Sequence, residues 1–199
     1  MFFDAVILCG GRASRLGGIA KAELLADGSS LLQIAVMAAS GAERVVVVGD
    51  AVPGLPVSTV FVREMPPHGG PAAALGAGMQ QLAAGAPSNW VLVLACDMPD
   101  VRGAVAALLT AAHTAPASVD GLIAIDGERR RQYLAALYRA GALLASLDAI
   151  EVLEGVSLRA VVEPLRLREV EVPDDSTADI DNWADAARRR VTAPDDHVR

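Results

Sequence analysis

The chain has 199 residues, 53% of them hydrophobic, and a formal net charge of -7 at pH 7. This length suits one domain with its own core, and we expect a single domain over residues 1–190 followed by a flexible tail over residues 191–199. The acidic balance argues against a nucleic-acid-binding surface, and the apolar runs are shorter than the roughly 18 residues that a membrane helix needs. The first residues lack a secretion-signal pattern, and Cys9 and Cys96 form no redox or disulfide motif. We therefore expect a cytoplasmic protein in which both cysteines are small buried hydrophobic residues.

Strands and helices are predicted to alternate through the first half of the chain. The predicted strands are uniformly apolar and cover Ala5–Cys9, Arg44–Val48, Val57–Val62 and Trp90–Ala95. Helices are predicted between and after them, over Ser30–Ser40, Pro71–Ala84 and Val101–His113. Apolar strands that alternate with helices predict an α/β fold, with a mostly parallel sheet covered by helices on both faces in a Rossmann-like three-layer sandwich.

The second half carries weaker patterns. Gly121–Ile125 and Gln132–Tyr138 flank an Asp-Gly turn, which predicts a hairpin. Leu167–Val172 alternates like a strand, and Trp183–Arg190 is predicted to be a closing helix with basic residues at its C-terminal end.

A glycine-rich segment follows the first strand. Four of the nine residues from Gly10 to Gly18 are glycine, and Lys21, the single lysine among seventeen basic residues, comes shortly afterwards. Glycines let backbone N–H groups approach a phosphate, and Arg15 and Lys21 add positive charge, so the segment predicts an anion-binding loop. It is neither a Walker A loop, because Ala22 follows the lysine, nor a dinucleotide-binding fingerprint. An exposed loop with a solvated lysine is the alternative.

An aspartate follows the strand that ends at Ala95. In parallel sheets, ligands bind at the carboxyl ends of the strands, and Asp97 at this place could hold Mg²⁺ against a triphosphate. The alternative is that Asp97 caps the helix that begins near Val101, although Asp100 lies closer to that start.

A turn between the third strand and its helix contains Glu64 and then Gly69-Gly70-Pro71. The two glycines would let the backbone face a flat base, and Pro71 suits the first turn of a helix. A plain strand-to-helix turn is the alternative. His68 receives no role, because a single histidine among prolines and glycines is usually exposed.

Two further polar segments lie in the second half. Asp179 and Asp181 would point to one side of an extended segment and could complete a metal or substrate site, whereas capping of the last helix by Asp181 or Asn182 explains them equally well. The arginine runs at 129–131 and 188–190 are predicted to be solvated surfaces, although the first could reach a phosphorylated substrate.

Taken in order, these segments resemble the MobA-type nucleotidyltransferases, the molybdenum cofactor guanylyltransferases. Leu8-Cys9-Gly10-Gly11 with Arg15, Gly17 and Lys21 is similar to the family's opening loop. Glu64 with Gly69-Gly70-Pro71, the Cys96-Asp97-Met98-Pro99 segment and Asp179-Ile180-Asp181 are similar to its later blocks. The resemblance covers residues 5 to 188 and implies a nucleotidyltransferase-type sheet. Ala20 and Glu64 depart from the aspartates that are usual at these positions, and Gly49 falls where some members place a side chain near the nucleotide.

The resemblance implies that GMP is transferred from Mg-GTP to the terminal phosphate of molybdopterin. It assigns catalysis to Lys21, Arg15 and Asp97, and Mg²⁺ binding to Asp97 and Asp181. The implied nucleotide-binding residues are Leu8, Cys9, Gly10, Gly11, Lys21, Gly49, Glu64, Gly70, Pro71 and Asp97. It also implies contacts with other cofactor-biosynthesis proteins and with molybdoenzymes, whereas the charge and the short apolar runs predict no contact with nucleic acid or membrane.

Three alternative functions stay open. Gly10-Gly11 favours GTP by resemblance, but a transferase that uses CTP or another phosphorylated acceptor would have a similar sequence. A nicotinamide-dependent oxidoreductase requires an acidic residue about 20 residues after its glycines, whereas Asp50 comes some forty residues after Gly10. A cofactor-binding module without catalysis is the third.

Overall fold

The computed structural model of the chain describes residues 1–10, 16 and 18–194. Within these residues the strands are β1 (Phe3–Cys9), β2 (Leu25–Ala26), β3 (Ser29–Ser30), β4 (Val45–Gly49), β5 (Thr59–Val62), β6 (Trp90–Ala95), β7 (Gly121–Ile125), β8 (Arg131–Arg139), β9 (Leu167–Glu171) and β10 (Val191–Thr192). The α-helices are α1 (Leu31–Ala38), α2 (Pro71–Ala83), α3 (Arg102–Ala112), α4 (Ala140–Asp148), α5 (Leu158–Val162) and α6 (Trp183–Arg188). A short 3₁₀ helix covers Lys21–Glu23.

The central sheet has seven strands in the order β5-β4-β1-β6-β8-β7-β9. The pairs β5–β4, β4–β1, β1–β6 and β7–β9 are parallel, and β8 is antiparallel to both of its neighbours. A small second sheet has the order β10-β2-β3. The predicted α/β fold with a mostly parallel sheet is therefore confirmed.

Helices cover both faces of the central sheet because successive strand residues point to opposite sides. Along β1, Ala5 and Ile7 pack into the core that includes α1 and α3, whereas Val6 and Leu8 pack into the core that includes α2, α4 and α5. The uniformly apolar strands thus supply two hydrophobic cores, one on each side of the sheet.

Local signals account for several element boundaries. Ser30 precedes α1, and its hydroxyl accepts a hydrogen bond from the Gln33 backbone while the Gln33 side chain accepts one from the Ser30 backbone. Pro71 occupies the first position of α2, as predicted. The predicted strand Val57–Val62 begins at Thr59 in the structure, where Val57 is fully exposed.

Several elements differ from the sequence predictions, and the short strands β2 and β3 and the 3₁₀ helix were not predicted. Helices α4 and α5 were not anticipated, because the α4 N-cap residue, Arg139, provides no capping side chain and α5 has only 5 residues. Val191 and Thr192, predicted to begin the flexible tail, instead form β10 and pair with β2. Residues 195–199 of that tail lie outside the described residues. No helix in the described ranges combines the length and the apolar character needed to span a bilayer.

Candidate active site

The candidate site lies at the carboxyl edge of the central sheet, beside β1 and β6. The strand order changes direction here, because β4 and β5 extend the sheet on one side of β1 and β6 lies on the other. Leu8 pairs with Ala95, and the Cys96 N–H donates to the Leu8 carbonyl at 3.1 Å. Gly10 and Asp97 therefore follow neighbouring parallel strands at the same edge, which is where open α/β sheets bind their ligands.

Lys21 links two carboxylates at this edge. Its Nζ donates to Asp97 Oδ2 at 2.8 Å and to Asp181 Oδ1 at 2.7 Å. Partial burial lowers the pKa of Lys21, but the adjacent Asp97 and Asp181 carboxylates outweigh this effect and the pKa rises above its ordinary value. Lys21 therefore keeps its charge at every physiological pH.

Asp179 adds a third carboxylate to the same cluster. One side-chain oxygen from each of Asp97, Asp179 and Asp181 lies within 4.8 Å of the other two. Desolvation and the neighbouring Asp181 and Asp97 charges raise the pKa of Asp179. Three carboxylates face one ammonium, so the cluster has an excess of negative charge. Carboxylate oxygens are the ligands that Mg²⁺ prefers, so the donor set fits this ion.

The aspartates converge because the segment that carries them is extended and anchored. Ile180, between Asp179 and Asp181, is fully buried, and its N–H donates to the Asp97 carbonyl at 3.1 Å. Its side chain packs in the core, so the two flanking side chains point the other way.

Helix capping does not explain Asp97 or Asp181 in this structure. Asn182 caps α6, and its Oδ1 accepts from the Ala184 and Asp185 N–H groups at 2.9 and 3.0 Å. The N-cap position of α3 is Val101, which makes no side-chain capping bond. The side chains of Asp97 and Asp181 are directed to Lys21 instead.

A glycine turn before α2 forms another part of the site. Gly70 has a φ of 92°, a left-handed conformation that favours glycine, and Pro71 follows it as the first residue of the helix. The Gly69 carbonyl accepts a hydrogen bond from the Gly155 N–H at 2.8 Å. Glu64 Oε1 accepts one from the His68 N–H at 3.0 Å, so the Glu64 carboxylate helps to fix the turn.

One cavity of about 1220 Å³ connects these parts. The residues predicted to bind nucleotide that line it are Leu8, Cys9, Gly10, Lys21, Glu64, Gly70, Pro71 and Asp97. Gly11 and Arg15 lie outside the described residues.

Two predicted site residues do not line the cavity. Asp181 reaches it through its contact with Lys21. Gly49 lies at the end of β4, where a Cβ would meet the Cys9 carbonyl oxygen at 2.5 Å. Close packing of neighbouring strands accounts for this glycine without a nucleotide contact.

The cysteines differ in burial. Cys96 is buried, and a hydrogen bond with the Cys9 thiol, together with desolvation, raises the pKa of the Cys96 thiol. Cys9 is only half-buried and lines the cavity, so the prediction that both are buried holds for Cys96 alone.

Further residues that line the cavity received no binding role from the sequence, apart from the suggestion that the arginine run at 129–131 could reach a phosphorylated substrate. They come from the β7–β8 turn, the start of β8 and α5, and include Arg131, Gln132, Tyr133, Ser157 and Arg159. No sequence motif identifies these residues, and only the fold brings them to the cavity. The antiparallel pairing of β8 with β6, for example, places the start of β8 at the carboxyl edge of β6.

Comparison with known proteins shows which family model and which curated protein the chain matches. Residues 5–170 match the family model described as the MobA-like NTP transferase domain. The molybdenum cofactor guanylyltransferase of Serratia proteamaculans (strain 568) is 31% identical over an alignment of length 142, and the match covers 67% of this chain and 66% of that protein. The chain thus matches slightly less than two thirds of the length of this relative.

Solved structures share the fold at lower identity. The molybdopterin-guanine dinucleotide biosynthesis protein A of Archaeoglobus fulgidus has a TM-score of 0.68 and 20% identity, with 95% of this chain and 96% of that chain covered. The 2-C-methyl-D-erythritol 4-phosphate cytidylyltransferase of Francisella tularensis has a TM-score of 0.72 and 15% identity, with 94% and 98% covered. The fold alone therefore does not separate guanylyl from cytidylyl transfer.

Proposed function

Since this chain belongs to the MobA-like NTP transferases, a family of nucleotidyltransferases, we propose that it transfers GMP from Mg-GTP to the terminal phosphate of molybdopterin. An acceptor phosphate oxygen forms the new bond to the α-phosphorus of GTP. The bond from the α-phosphorus to the bridging oxygen breaks, and pyrophosphate leaves with the electron pair. The product is a guanine dinucleotide cofactor, which molybdoenzymes would receive.

The observation that carries the proposal is the position of Lys21. Its ammonium lies between Asp97 and Asp181, at the sheet edge where the segments around Gly10 and Gly70 border one cavity. A triphosphate is strongly anionic, and the excess carboxylate charge of this cluster would repel it without a further cation. The site therefore suits a nucleotide that arrives with a divalent metal ion.

The carboxylate cluster would hold that ion. Asp97 and Asp181, with Asp179 beside them, offer the oxygen ligands, and Mg²⁺ bound there would neutralise charge that develops on the α-phosphate. Lys21 would interact with the phosphates and stabilise negative charge on the departing pyrophosphate.

The remaining nucleotide contacts would come largely from backbone groups. The end of β1 borders the cavity with Leu8, Cys9 and Gly10, and Gly70 and Pro71 at the start of α2 also line it. The predicted contributions of Gly11 and Arg15 belong to the same opening loop. Such positioning would accelerate the transfer without a covalent intermediate, because nucleotidyl transfer depends mainly on orientation and charge neutralisation.

The test is a nucleotide panel. The purified chain is incubated with molybdopterin, Mg²⁺ and GTP, CTP, ATP or UTP in turn, and pyrophosphate release and the mass of the product are measured. We expect release with GTP, formation of the guanine dinucleotide, and loss of both when EDTA removes the metal.

The alternatives give different results in the same assay. Faster release with CTP would identify a cytidylyltransferase. Release only when another phosphorylated acceptor replaces molybdopterin would contradict the proposed acceptor. Tight molybdopterin binding without turnover would identify a binding module.

A further inference from the structure

The cavity contains positive side chains beyond the nucleotide-binding loops. Four cationic residues that the structure describes line it, namely Lys21, Arg130, Arg131 and Arg159. Lys21 is bound by two aspartates. Arg130 is bound by Asp126 and Glu128, which hold it against the β7–β8 turn.

Arg131 and Arg159 have donors available for a ligand. Arg131 donates through Nε to Glu169 Oε1 at 2.8 Å, and neither of its Nη atoms has a hydrogen-bond partner among the described residues. Arg159 forms no ion pair or side-chain hydrogen bond within the described part of the chain, and it is exposed. A guanidinium has five N–H donors in a fixed planar arrangement, which suits two-point binding of a phosphate.

The sheet topology brings Arg131 to the same edge as the carboxylate cluster. Leu94 of β6 pairs with Ala135 of the antiparallel β8. Asp97 lies three residues after Leu94, and Arg131 lies four residues before Ala135. Because the two strands are antiparallel, both residues lie toward the same edge of the sheet from this pair.

An aromatic side chain lines the cavity together with the two arginines. The chain has only seven Phe, Trp and Tyr residues, and Tyr133 is the one among those described that lines the cavity. Tyr133, Arg131 and Arg159 also line an adjacent cavity of about 370 Å³. These three residues, here called the Arg131–Tyr133–Arg159 wall, therefore border both spaces.

The cavity is large enough for two substrates. Its volume of about 1220 Å³ exceeds the roughly 300–1,000 Å³ of an ordinary small-molecule site. Two phosphorylated substrates repel each other when they approach for transfer, so the second requires positive charge of its own. Lys21 and the carboxylate-bound metal ion would serve the nucleotide, which leaves Arg131 and Arg159 for the second substrate.

We propose that the Arg131–Tyr133–Arg159 wall is the acceptor subsite, where the arginines bind the phosphate monoester of the acceptor and Tyr133 stacks on its ring. This inference rests on the proposed function and extends it to acceptor selection. Glu169 positions Arg131 through the Nε bond and leaves both Nη groups available to donate to the acceptor phosphate. The wall selects acceptors that combine a phosphate monoester with a flat heterocycle, as molybdopterin does.

Single and double variants test the subsite. Arg131→Ala and Arg159→Ala should each raise the KM for molybdopterin roughly tenfold or more, because each removes a charge-assisted hydrogen bond. The Kd of Mg-GTP, measured by calorimetry without acceptor, should stay within twofold of the wild-type value. Arg166→Ala is the matched control, since Arg166 pairs with Asp120 and lines neither cavity.

Tyr133 provides a separate test of ring stacking. Tyr133→Leu should raise the KM for molybdopterin, and Tyr133→Phe, which keeps the aromatic face, should restore the wild-type value. An equal loss in both variants would overturn the stacking role.

Failure of the subsite can be distinguished from failure of the proposed function. Absence of pyrophosphate release from wild-type protein with every nucleotide would contradict the proposed function. The equilibrium Kd for molybdopterin, measured without nucleotide, still tests the wall in that case. A wild-type Kd in the Arg131→Ala/Arg159→Ala double variant, or a loss of Mg-GTP affinity equal to the loss of acceptor affinity, would overturn the inference.

Discussion

Lys21 illustrates, at the scale of one residue, why an arginine-rich chain contains a lysine. Its ammonium contacts carboxylates from two distant parts of the sequence, at 2.8 and 2.7 Å. A compact ammonium on a flexible stem can lie between them and also turn toward a phosphate, whereas the planar guanidinium of arginine has a fixed donor geometry.

Removal of the Lys21 ammonium should lower the rate of transfer. We expect Lys21→Ala to reduce kcat by roughly a hundredfold or more, because the charge on the leaving pyrophosphate loses its partner. Pyrophosphate release under saturating Mg-GTP and acceptor measures this change. Glu23→Ala, an exposed change in the same 3₁₀ helix, is the control and should keep the wild-type rate. A Lys21→Ala enzyme of normal rate would contradict the role of Lys21.

A second residue-scale prediction concerns pH. Hydrogen bonds from the Arg166 side chain and backbone lower the pKa of Asp120 from its ordinary value of 3.8 to about 2. A lowered pKa means that this interaction stabilises the fold above about pH 4 and is lost as the pH falls through about 2. Arg166→Ala should raise the pKa of Asp120 toward its ordinary value, as measured by NMR titration of the carboxyl carbon.

The matched variant for this titration is Arg168→Ala. Arg168 bonds to the carbonyls of Ala111 and Thr114 and not to Asp120. The pKa of Asp120 should therefore stay low in this variant. If Arg168→Ala raised it as much as Arg166→Ala, a general charge effect and not the specific ion pair would be responsible.

At the scale of elements, the close approach of α2 to the sheet depends on a glycine. A Cβ on Gly78 would meet Val6 Cγ1 at 2.5 Å and Val48 Cγ2 at 3.1 Å. The helix therefore lies directly on β1 and β4. This packing brings Pro71, the first residue of α2, and the preceding Gly70 to the edge of the cavity.

Two helical glycines should respond in opposite ways to alanine. Alanine in a helix gains roughly 1 kcal/mol over glycine, but overpacking a core costs about 1–3 kcal/mol, so Gly78→Ala should destabilise the fold. A Cβ added at Gly141 in α4 would have no atom within 4 Å, and Gly141→Ala should stabilise the fold by about 0.5–1 kcal/mol. Chemical denaturation measures both free energies of unfolding. A stabilising Gly78→Ala would contradict the packing argument.

Strands and helices with strong local sequence patterns were predicted correctly, whereas elements without such patterns were missed. Strands β6 and β7 match the predicted ranges Trp90–Ala95 and Gly121–Ile125, because both are continuous apolar runs. Helix α1 has a capping box at Ser30, and α2 has Pro71. Helix α4 follows β8 directly, without a turn residue or capping side chain, so the sequence offered no boundary. The two-residue strand β10 depends on pairing with β2, which no local pattern reveals.

At the scale of the whole molecule, an ion pair between a buried aspartate and a partly exposed arginine stabilises the amino end of the sheet. Asp4 on β1 is fully buried and accepts hydrogen bonds from Arg44 Nε at 3.1 Å, Arg44 Nη2 at 2.7 Å and the Ser88 N–H at 2.8 Å. Arg44 also donates to the carbonyls of Leu82, Gly85 and Ala86. One side chain therefore joins β1 to the segment that leads from α2 into β6.

Loss of Arg44 should destabilise the fold strongly. Arg44→Ala leaves the Asp4 carboxylate buried without its partner, and we expect a cost of about 3 kcal/mol in the free energy of unfolding. The control is Arg63→Ala, because the Arg63–Asp50 pair is exposed and should contribute less than about 1 kcal/mol. Equal effects of the two variants in urea denaturation would contradict the importance of burial.

The sequence predicted the chemistry of the candidate site better than its shape. Lys21, Asp97 and Asp181 were identified from motifs, and the structure brings their side chains into contact. The helix-cap interpretation of Asp181 could be excluded only with the structure, because Asn182 is an equally good cap in sequence. The position of Tyr133 and Arg159 in the cavity wall could not be predicted, since both reach the cavity only through strand pairing and helix packing that join distant segments.

The contact between Lys21 and Asp181 spans 160 positions along the chain. During translation, the glycine-rich segment and β6 emerge from the ribosome long before the segment that contains Asp179 and Asp181. A nascent chain can therefore form most of the central sheet while its carboxylate cluster is still incomplete. The carboxylate cluster, for which we propose metal binding, is therefore completed only after residues 179–181 have been synthesised, well after strands β1, β4 and β6.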